Sequence, residues 1–124
     1  MRKILIVDDS KTMRRMVAAS LRNLPNVTFE DASNGLEAIE SLALSPASLM
    51  ILDLNMPDMH GLDVLRFVRS QDTGRGLPII ILTTRNDQES WSAALKAGAT
   101  LYMTKPFDPS DLSKRAETLL GSEL

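Results

Sequence analysis

The sequence predicts an α/β protein, a doubly wound, five-stranded parallel sheet with helices on both faces. Three observations carry this expectation. Short apolar runs alternate five times with stretches whose apolar residues recur at helical spacing. Two of the runs, Leu49-Met50-Ile51-Leu52 and Pro78-Ile79-Ile80-Ile81-Leu82-Thr83, are continuously apolar or β-branched, so both of their faces must be covered. Helices between the strands imply right-handed crossovers between parallel neighbours.

The elements follow in order. Residues 3–7 form the first strand. Met13, Met16, Val17 and Leu21 then mark a helix that Leu24-Pro25-Asn26 stops. Residues 27–30 form the second strand, Asn34-Gly35 punctuates, and Leu36, Ile39, Leu42 and Ala43 mark the second helix. Residues 49–52 are the third strand. The segment Asp53-Leu54-Asn55-Met56-Pro57-Asp58-Met59-His60-Gly61 is rich in turn residues and acids and reads as a loop. Leu62, Val64, Leu65, Phe67 and Val68 give the third helix, residues 72–76 a loop, and residues 78–83 the fourth strand. Trp91, Ala94 and Leu95 lie on a fourth helix closed by Gly98. Residues 99–103 form the fifth strand, and Asp108-Pro109 opens a last helix with the stripe Leu112, Ala116, Leu119 and Leu120.

Composition bounds the function. The 124 residues suit one domain, read as residues 1–124 standing alone, since the tail Gly121-Ser122-Glu123-Leu124 does not resemble a cut linker. Ile4–Val7 is too short for a signal-peptide core, and no run approaches the roughly 20 residues of a membrane span, so a cytoplasmic protein without membrane contact is expected. There are no cysteines and one histidine, His60, which excludes thiolate and multi-histidine metal sites. Any bound metal must be a hard cation held by oxygen. The net charge of -2, with signs interspersed, argues against nucleic acid. Arg14-Arg15 reads as a solvated helix face.

In an open α/β sheet the ligand site lies beyond the carboxyl ends of the strands. The first strand runs into Asp8-Asp9, the third into Asp53 and the fourth into Thr83-Thr84; the fifth is followed closely by Lys105-Pro106. Each has an ordinary reading: Asp9 or Ser10 can cap the first helix, Asp53 can open a turn, and a lone lysine is most often solvated. Together they bring three carboxylates, a hydroxyl and an ammonium to one edge. Such carboxylates repel unless a cation sits among them, and the oxygen-only donor set points to Mg²⁺. A carboxylate beside Mg²⁺ can act as a nucleophile toward phosphorus and form an acyl phosphate. The lysine and the threonine hydroxyl would then contact the phosphoryl oxygens.

With these residues in view, the chain resembles the receiver domains of two-component response regulators, and looks most like their single-domain chemotaxis type. The motifs are Ile4-Leu5-Ile6-Val7-Asp8-Asp9-Ser10, Ile51-Leu52-Asp53-Leu54-Asn55-Met56-Pro57, Ile81-Leu82-Thr83-Thr84 and Lys105-Pro106-Phe107, spread over essentially the whole chain. The resemblance implies a flavodoxin-like fold with strand order 2-1-3-4-5. It implies that Asp53 accepts a phosphoryl group from the phosphohistidine of a histidine kinase or phosphotransfer protein. Asp8, Asp9, Asp53 and the Asn55 backbone carbonyl would hold Mg²⁺. Thr83 and Tyr102 would act as the switch, with Lys105 on the phosphate and joined to Pro106 by a cis bond. A monomer would then signal to a downstream protein through the face of the fourth helix, fifth strand and fifth helix. By composition alone Tyr102 is a half-buried strand aromatic with its hydroxyl in water.

Several positions depart from the family's usual pattern. Thr84 replaces a smaller residue and is expected to narrow access to Asp53. Asn55 and Arg85 lie two residues beyond Asp53 and Thr83, where phosphoryl lifetime is tuned. Ser10 makes the mouth more polar. Trp91 reads as core packing at its helical spacing; exposed, it would be an anchor for a partner.

The resulting expectation is a signalling switch, acting in chemotaxis in the first instance, that catalyses only its own phosphorylation and dephosphorylation. A phosphate sink or phosphorelay shuttle uses the same residues. A Mg²⁺-dependent aspartyl phosphohydrolase is a more distant alternative, because it needs a second acid where Asn55 stands. An interaction module without chemistry would not need Asp8, Asp9, Asp53, Thr83 and Lys105 together, and a dinucleotide-binding domain would need a Gly-x-Gly after the first strand.

Overall fold

All five apolar runs form strands, and they pair in parallel. In the computed structural model these are β1 (Arg2–Val7), β2 (Val27–Ala32), β3 (Leu49–Leu52), β4 (Ile79–Thr83) and β5 (Leu101–Thr104). Their order in the sheet is β2-β1-β3-β4-β5. The helices are α1 (Lys11–Leu21), α2 (Gly35–Leu44), α3 (Gly61–Ser70), α4 (Gln88–Lys96) and α5 (Pro109–Leu120). The structure describes residues 1–57 and 59–121; Asp58 and residues 122–124, including the tail read above as an uncut end, lie outside it.

Alternation along the strands divides the core in two. Leu5, Val7, Met50, Leu52, Ile79 and Ile81 face one layer with Ala38, Val64, Leu65, Val68 and Ala94, from α2, α3 and α4. Ile4, Ile6, Leu49, Ile51, Ile80 and Leu82 face the other with Val17, Leu21, Leu112 and Ala116, from α1 and α5. This two-sided burial is why the strand runs lack polar alternation.

Side-chain caps set the starts of α1, α2, α4 and α5, whereas α3 starts at His60 without one. Ser10 Oγ accepts from Met13 N at 3.2 Å, Asn34 Oδ1 from Glu37 N at 2.9 Å, Asp87 Oδ2 from Ser90 N at 3.0 Å and Asp108 Oδ1 from Ser110 N at 2.9 Å. Ser10, not Asp9, is therefore the α1 cap, which leaves Asp9 free of that duty. At the far end of the sheet Lys3 Nζ meets the α2 C-terminus, 2.9 Å from the Ser45 carbonyl. Arg69 donates to the carbonyls of Gly98 at 2.9 Å and Gly74 at 2.6 Å, tying the α4–β5 and α3–β4 connections to α3.

The structure corrects several local expectations. β2 continues to Ala32, because its pairing with β1 runs through Val7. β5 begins at Leu101 rather than Ala99. Gly98 ends α4 with a left-handed φ of 108°, and Ala99 N still bonds the Ala94 carbonyl at 3.0 Å. In α2 the buried residues are Gly35, Ala38 and Ser41, whereas Leu36 and Ala43 are exposed. Small residues face inward because the layer is close-packed: a Cβ on Gly35 would lie 2.7 Å from Val64 Cγ2. Met16 is exposed too. Trp91 is not core. It is 46% exposed, because Ser90 and Ala94, one turn apart, form the buried stripe of α4 and Trp91 sits beside it.

Gly61 joins this packing to the site. A Cβ there would lie 2.2 Å from the Asp53 carbonyl oxygen and 2.7 Å from Leu54 Cα, so α3 starts directly against the end of β3. Gly61→Ala is expected to cost at least about 2 kcal/mol in urea unfolding, since backbone must move. Gly76→Ala, where nothing lies within 4 Å, should change stability by under about 0.5 kcal/mol. Equal effects of the two substitutions would contradict the packing described.

Candidate functional site

Parallel pairing delivers the polar strand ends to one edge. β1 and β3 are neighbours, with Val7 opposite Leu52, so Asp8 and Asp53 emerge side by side. Asp53 N donates to the Val7 carbonyl at 3.0 Å, which carries the ladder up to Asp53 itself. Carboxylate oxygens of Asp8, Asp9 and Asp53 lie within 4.8 Å of one another. Asp8 and Asp53 are buried, at 4% and 5% exposure, whereas Asp9 faces solvent.

The two buried acids are held alike. Asp8 Oδ1 accepts from Ser10 N at 2.9 Å, and Asp53 Oδ1 accepts from Asn55 N at 3.0 Å. Each bond reaches two residues on and fixes the plane of its carboxylate. The other oxygens converge on Lys105, whose Nζ lies 2.6 Å from Asp8 Oδ2 and 3.2 Å from Asp53 Oδ2. Lys105 reaches them from the end of β5, where its own N–H bonds the Thr83 carbonyl at 2.8 Å and its bond to Pro106 is cis, as the resemblance implied. Burial pushes the ammonium toward its neutral form. The hydrogen bond to Asp8 and the charges of Asp53 and Asp8 outweigh this and raise its pKa.

Three carboxylates and one ammonium leave two negative charges uncompensated. Two unit charges of like sign 4.8 Å apart repel by about 3 kcal/mol at an effective dielectric of about 20. The donor set therefore fits a small divalent cation in charge as well as in its oxygen chemistry. Asn55 lies at the mouth, so its backbone is placed to join such a site.

Around the acids the remaining residues take distinct positions. Thr83 is fully buried, and its hydroxyl accepts a long bond from Arg85 N at 3.4 Å. Thr84 is exposed and bridges the mouth, its Oγ1 accepting from Asn55 Nδ2 at 3.1 Å. This cross-strand pair was invisible in sequence, where the two residues are 29 positions apart. Arg85 is exposed, with Nε 3.8 Å from Asp87 Oδ1. Tyr102 departs from the reading of a hydroxyl left in water: its Oη donates to the Arg85 carbonyl at 2.7 Å. Burial, with the nearby charge of Asp87, raises the phenol pKa. Beside it opens a groove of about 600 Å³ between α4, β5 and α5, lined by Trp91, Tyr102, Phe107, Asp111 and Arg115.

One site residue escaped the sequence reading. Arg14 is not a solvated side chain: it is 12% exposed and folds back onto the Asp8 carbonyl at 2.6 Å, while Arg15 is exposed as expected. Its helical position alone carries no signal for this, because the partner is a backbone oxygen.

The Lys105 cluster makes stability depend on both cation and pH. Without divalent metal, Lys105→Met is expected to lower unfolding stability by about 2–3 kcal/mol, because the buried acids lose their counter-charge. Millimolar Mg²⁺ should recover most of that loss. The raised lysine pKa gives stability that is complete below the ordinary lysine value of about 10.4 and lost as pH climbs through the higher folded value. Urea unfolding of the unmodified chain should therefore weaken above about pH 10 more steeply than that of Lys105→Met. Parallel pH profiles would contradict this linkage.

The chain is similar to known proteins along nearly its whole length. A family model described as "Response regulator receiver domain" matches residues 4–117. The chemotaxis protein CheY1 of Helicobacter pylori is 41% identical over 121 residues, covering 97% of this chain and 98% of that protein. The structure of chemotaxis protein CheY4 of Vibrio cholerae superposes with a TM-score of 0.88 at 34% identity, covering 96% of this chain and 98% of that one. The Mn(2+)-bound form of response regulator Rcp1 matches with a TM-score of 0.81 at 28% identity, covering 96% and 91%. Among the described residues no helix is long and apolar enough to cross a membrane. The chain belongs to the response regulator receiver domain family of two-component signalling proteins.

Proposed function

We propose that this receiver is a chemotaxis-type switch in which Asp53 accepts a phosphoryl group from a phosphohistidine. The observation that carries the reading is the convergence of Asp8, Asp9, Asp53 and Lys105 on one point. The similarity to chemotaxis proteins along nearly the whole chain supports the pathway. The Mn(2+)-bound relative supports a divalent cation, which here is Mg²⁺ held by Asp8, Asp9, Asp53 and the Asn55 carbonyl. When bound, Mg²⁺ neutralises charge on the phosphoryl oxygens.

The chain's own residues then do the following. An Asp53 carboxylate oxygen attacks phosphorus, a P–O bond forms, and the P–N bond to the donor imidazole breaks. The imidazole leaves with the electron pair and takes a proton. The ammonium of Lys105 shifts from Asp53 Oδ2 to a phosphoryl oxygen, a short move for a side chain already 3.2 Å away. The Thr83 hydroxyl turns from its long contact with Arg85 N and donates to the phosphoryl group. That movement loosens the segment whose Arg85 carbonyl anchors Tyr102, and so couples the site to the groove beside Trp91. Hydrolysis follows when water attacks phosphorus and Asp53 leaves as carboxylate. The Asn55–Thr84 bridge and Arg85 stand at the mouth where that water enters.

The exposed Trp91 on this groove favours a signalling output over a phosphate sink, because a large apolar anchor in water has little use without a partner. A histidine kinase or phosphotransfer protein supplies the phosphoryl group, and a downstream protein docks on the groove. The chain acts on itself and turns over no separate substrate, since Asn55 is not a second acid.

Incubation with Mg²⁺ and acetyl phosphate should add one phosphoryl mass to the intact protein, and none to Asp53→Asn. No adduct on the unmodified chain would refute the proposal, and rapid turnover of unrelated phosphoesters would favour a hydrolase. Arg85→Ala should change the decay rate of the adduct at least about threefold, and Thr84→Ala should speed its formation, both read by mass over time. Decay unchanged in Arg85→Ala would remove Arg85 from the hydrolysis step.

A further inference from the structure

Arg14 does work at the site without touching any of its carboxylates. The pairing of β1 with β2 reaches one residue past β1, where Asp8 N donates to the Ala32 carbonyl at 3.1 Å. In a continuing parallel ladder the next donor, to the Asp8 carbonyl, would come from residue 34. There the chain has already turned away: Asn34 is the cap of α2, and Ser33 N donates to Glu37 Oε1 at 2.7 Å. The Arg14 guanidinium supplies the missing donor, its Nη1 lying 2.6 Å from the Asp8 oxygen. Nε is fixed in turn by Asp31 Oδ2 at 3.1 Å, from the end of β2. The guanidinium is thus held at two points and sets the peptide plane between Asp8 and Asp9, from which two of the three acids project.

We propose that Arg14 is a positioning residue that makes the acid cluster selective for Mg²⁺ over Ca²⁺. The inference rests on the reading that the cluster takes Mg²⁺. The chemistry is geometric. Mg²⁺ demands a near-ideal octahedron of oxygens, whereas Ca²⁺ accepts irregular and variable coordination. Loosening the Asp8–Asp9 peptide should therefore penalise Mg²⁺ and leave Ca²⁺ little affected. Partners behind metal ligands commonly matter by tenfold or more in affinity. The sign separates this role from simple electrostatics. Removing a positive charge near an acidic cluster would, by charge alone, strengthen binding of both cations.

Direct calorimetric titration of the full chain with MgCl₂ and, separately, CaCl₂ tests this without any phosphodonor. Arg14→Met should weaken Mg²⁺ binding about tenfold while Ca²⁺ binding stays within about twofold. Asp31→Asn, an exposed change that should fold normally, frees one end of the guanidinium and should weaken Mg²⁺ binding about threefold with Ca²⁺ again unchanged. Arg14→Lys, a point donor that cannot span both partners, should fall between wild type and Arg14→Met. Affinities for the two cations that move together, rise, or stay constant while only the unfolding temperature drops would overturn the proposal. Failure of the unmodified chain to bind Mg²⁺ would overturn it together with the proposed function; normal Mg²⁺ binding by the unmodified chain and all three variants would overturn this inference alone.

Discussion

The two contacts that Lys105 makes with Asp8 and Asp53 hold the ends of three strands at one point. The ammonium arrives from β5 and the acids from β1 and β3, so the cluster forms only if the sheet has closed in the right order. It is also a frustrated arrangement. The acids repel, one lysine compensates only part of their charge, and two of the acids are buried. A fold does not keep such a cluster for stability, because apolar residues of similar size would serve better there. In the proposed function, that residual charge is what a cation and then a phosphoryl group would answer.

The rest of the molecule reads as support for that point. The apolar cores on both faces keep the strands rigid, so the acids are fixed by backbone rather than by flexible linkers. Gly61 lets α3 press against the Asp53 peptide, and Asn55 N and Ser10 N orient the two buried carboxylates. On the other side, the segment after β4 links Thr83 at the site to Tyr102 and the groove. The proposed chemistry at Asp53 and the proposed recognition beside Trp91 are therefore joined by one short loop.

Much of this was legible in sequence, for identifiable reasons. Strands buried on both faces leave continuous apolar runs, helices show apolar residues at helical spacing, and Pro, Gly and Asn punctuate between them, so the order of elements could be read directly. The strand ends displayed Asp8, Asp9, Asp53, Thr83 and Lys105 because a parallel sheet puts all its carboxyl ends on one edge. What failed depended on distances between elements. In α2 the apolar residues Leu36 and Ala43 looked like the core stripe, but the close approach to α3 selects Gly35 and Ala38 instead. Trp91 looked buried because of its helical spacing, yet its neighbours Ser90 and Ala94 fill that face. Arg14 looked solvated because its partner is a carbonyl exposed by the early end of a neighbouring strand. Hydrophobic pattern reports which side of an element is wet; it does not report how near the next element stands.

In the proposed function Asp53, and neither neighbouring acid, carries the phosphoryl group. After treatment with Mg²⁺ and acetyl phosphate, borohydride reduction converts an acyl phosphate on aspartate to homoserine, and peptide sequencing by mass spectrometry then locates it. Homoserine is expected at position 53 alone. Homoserine at position 8 or 9, or at none of the three, would contradict it.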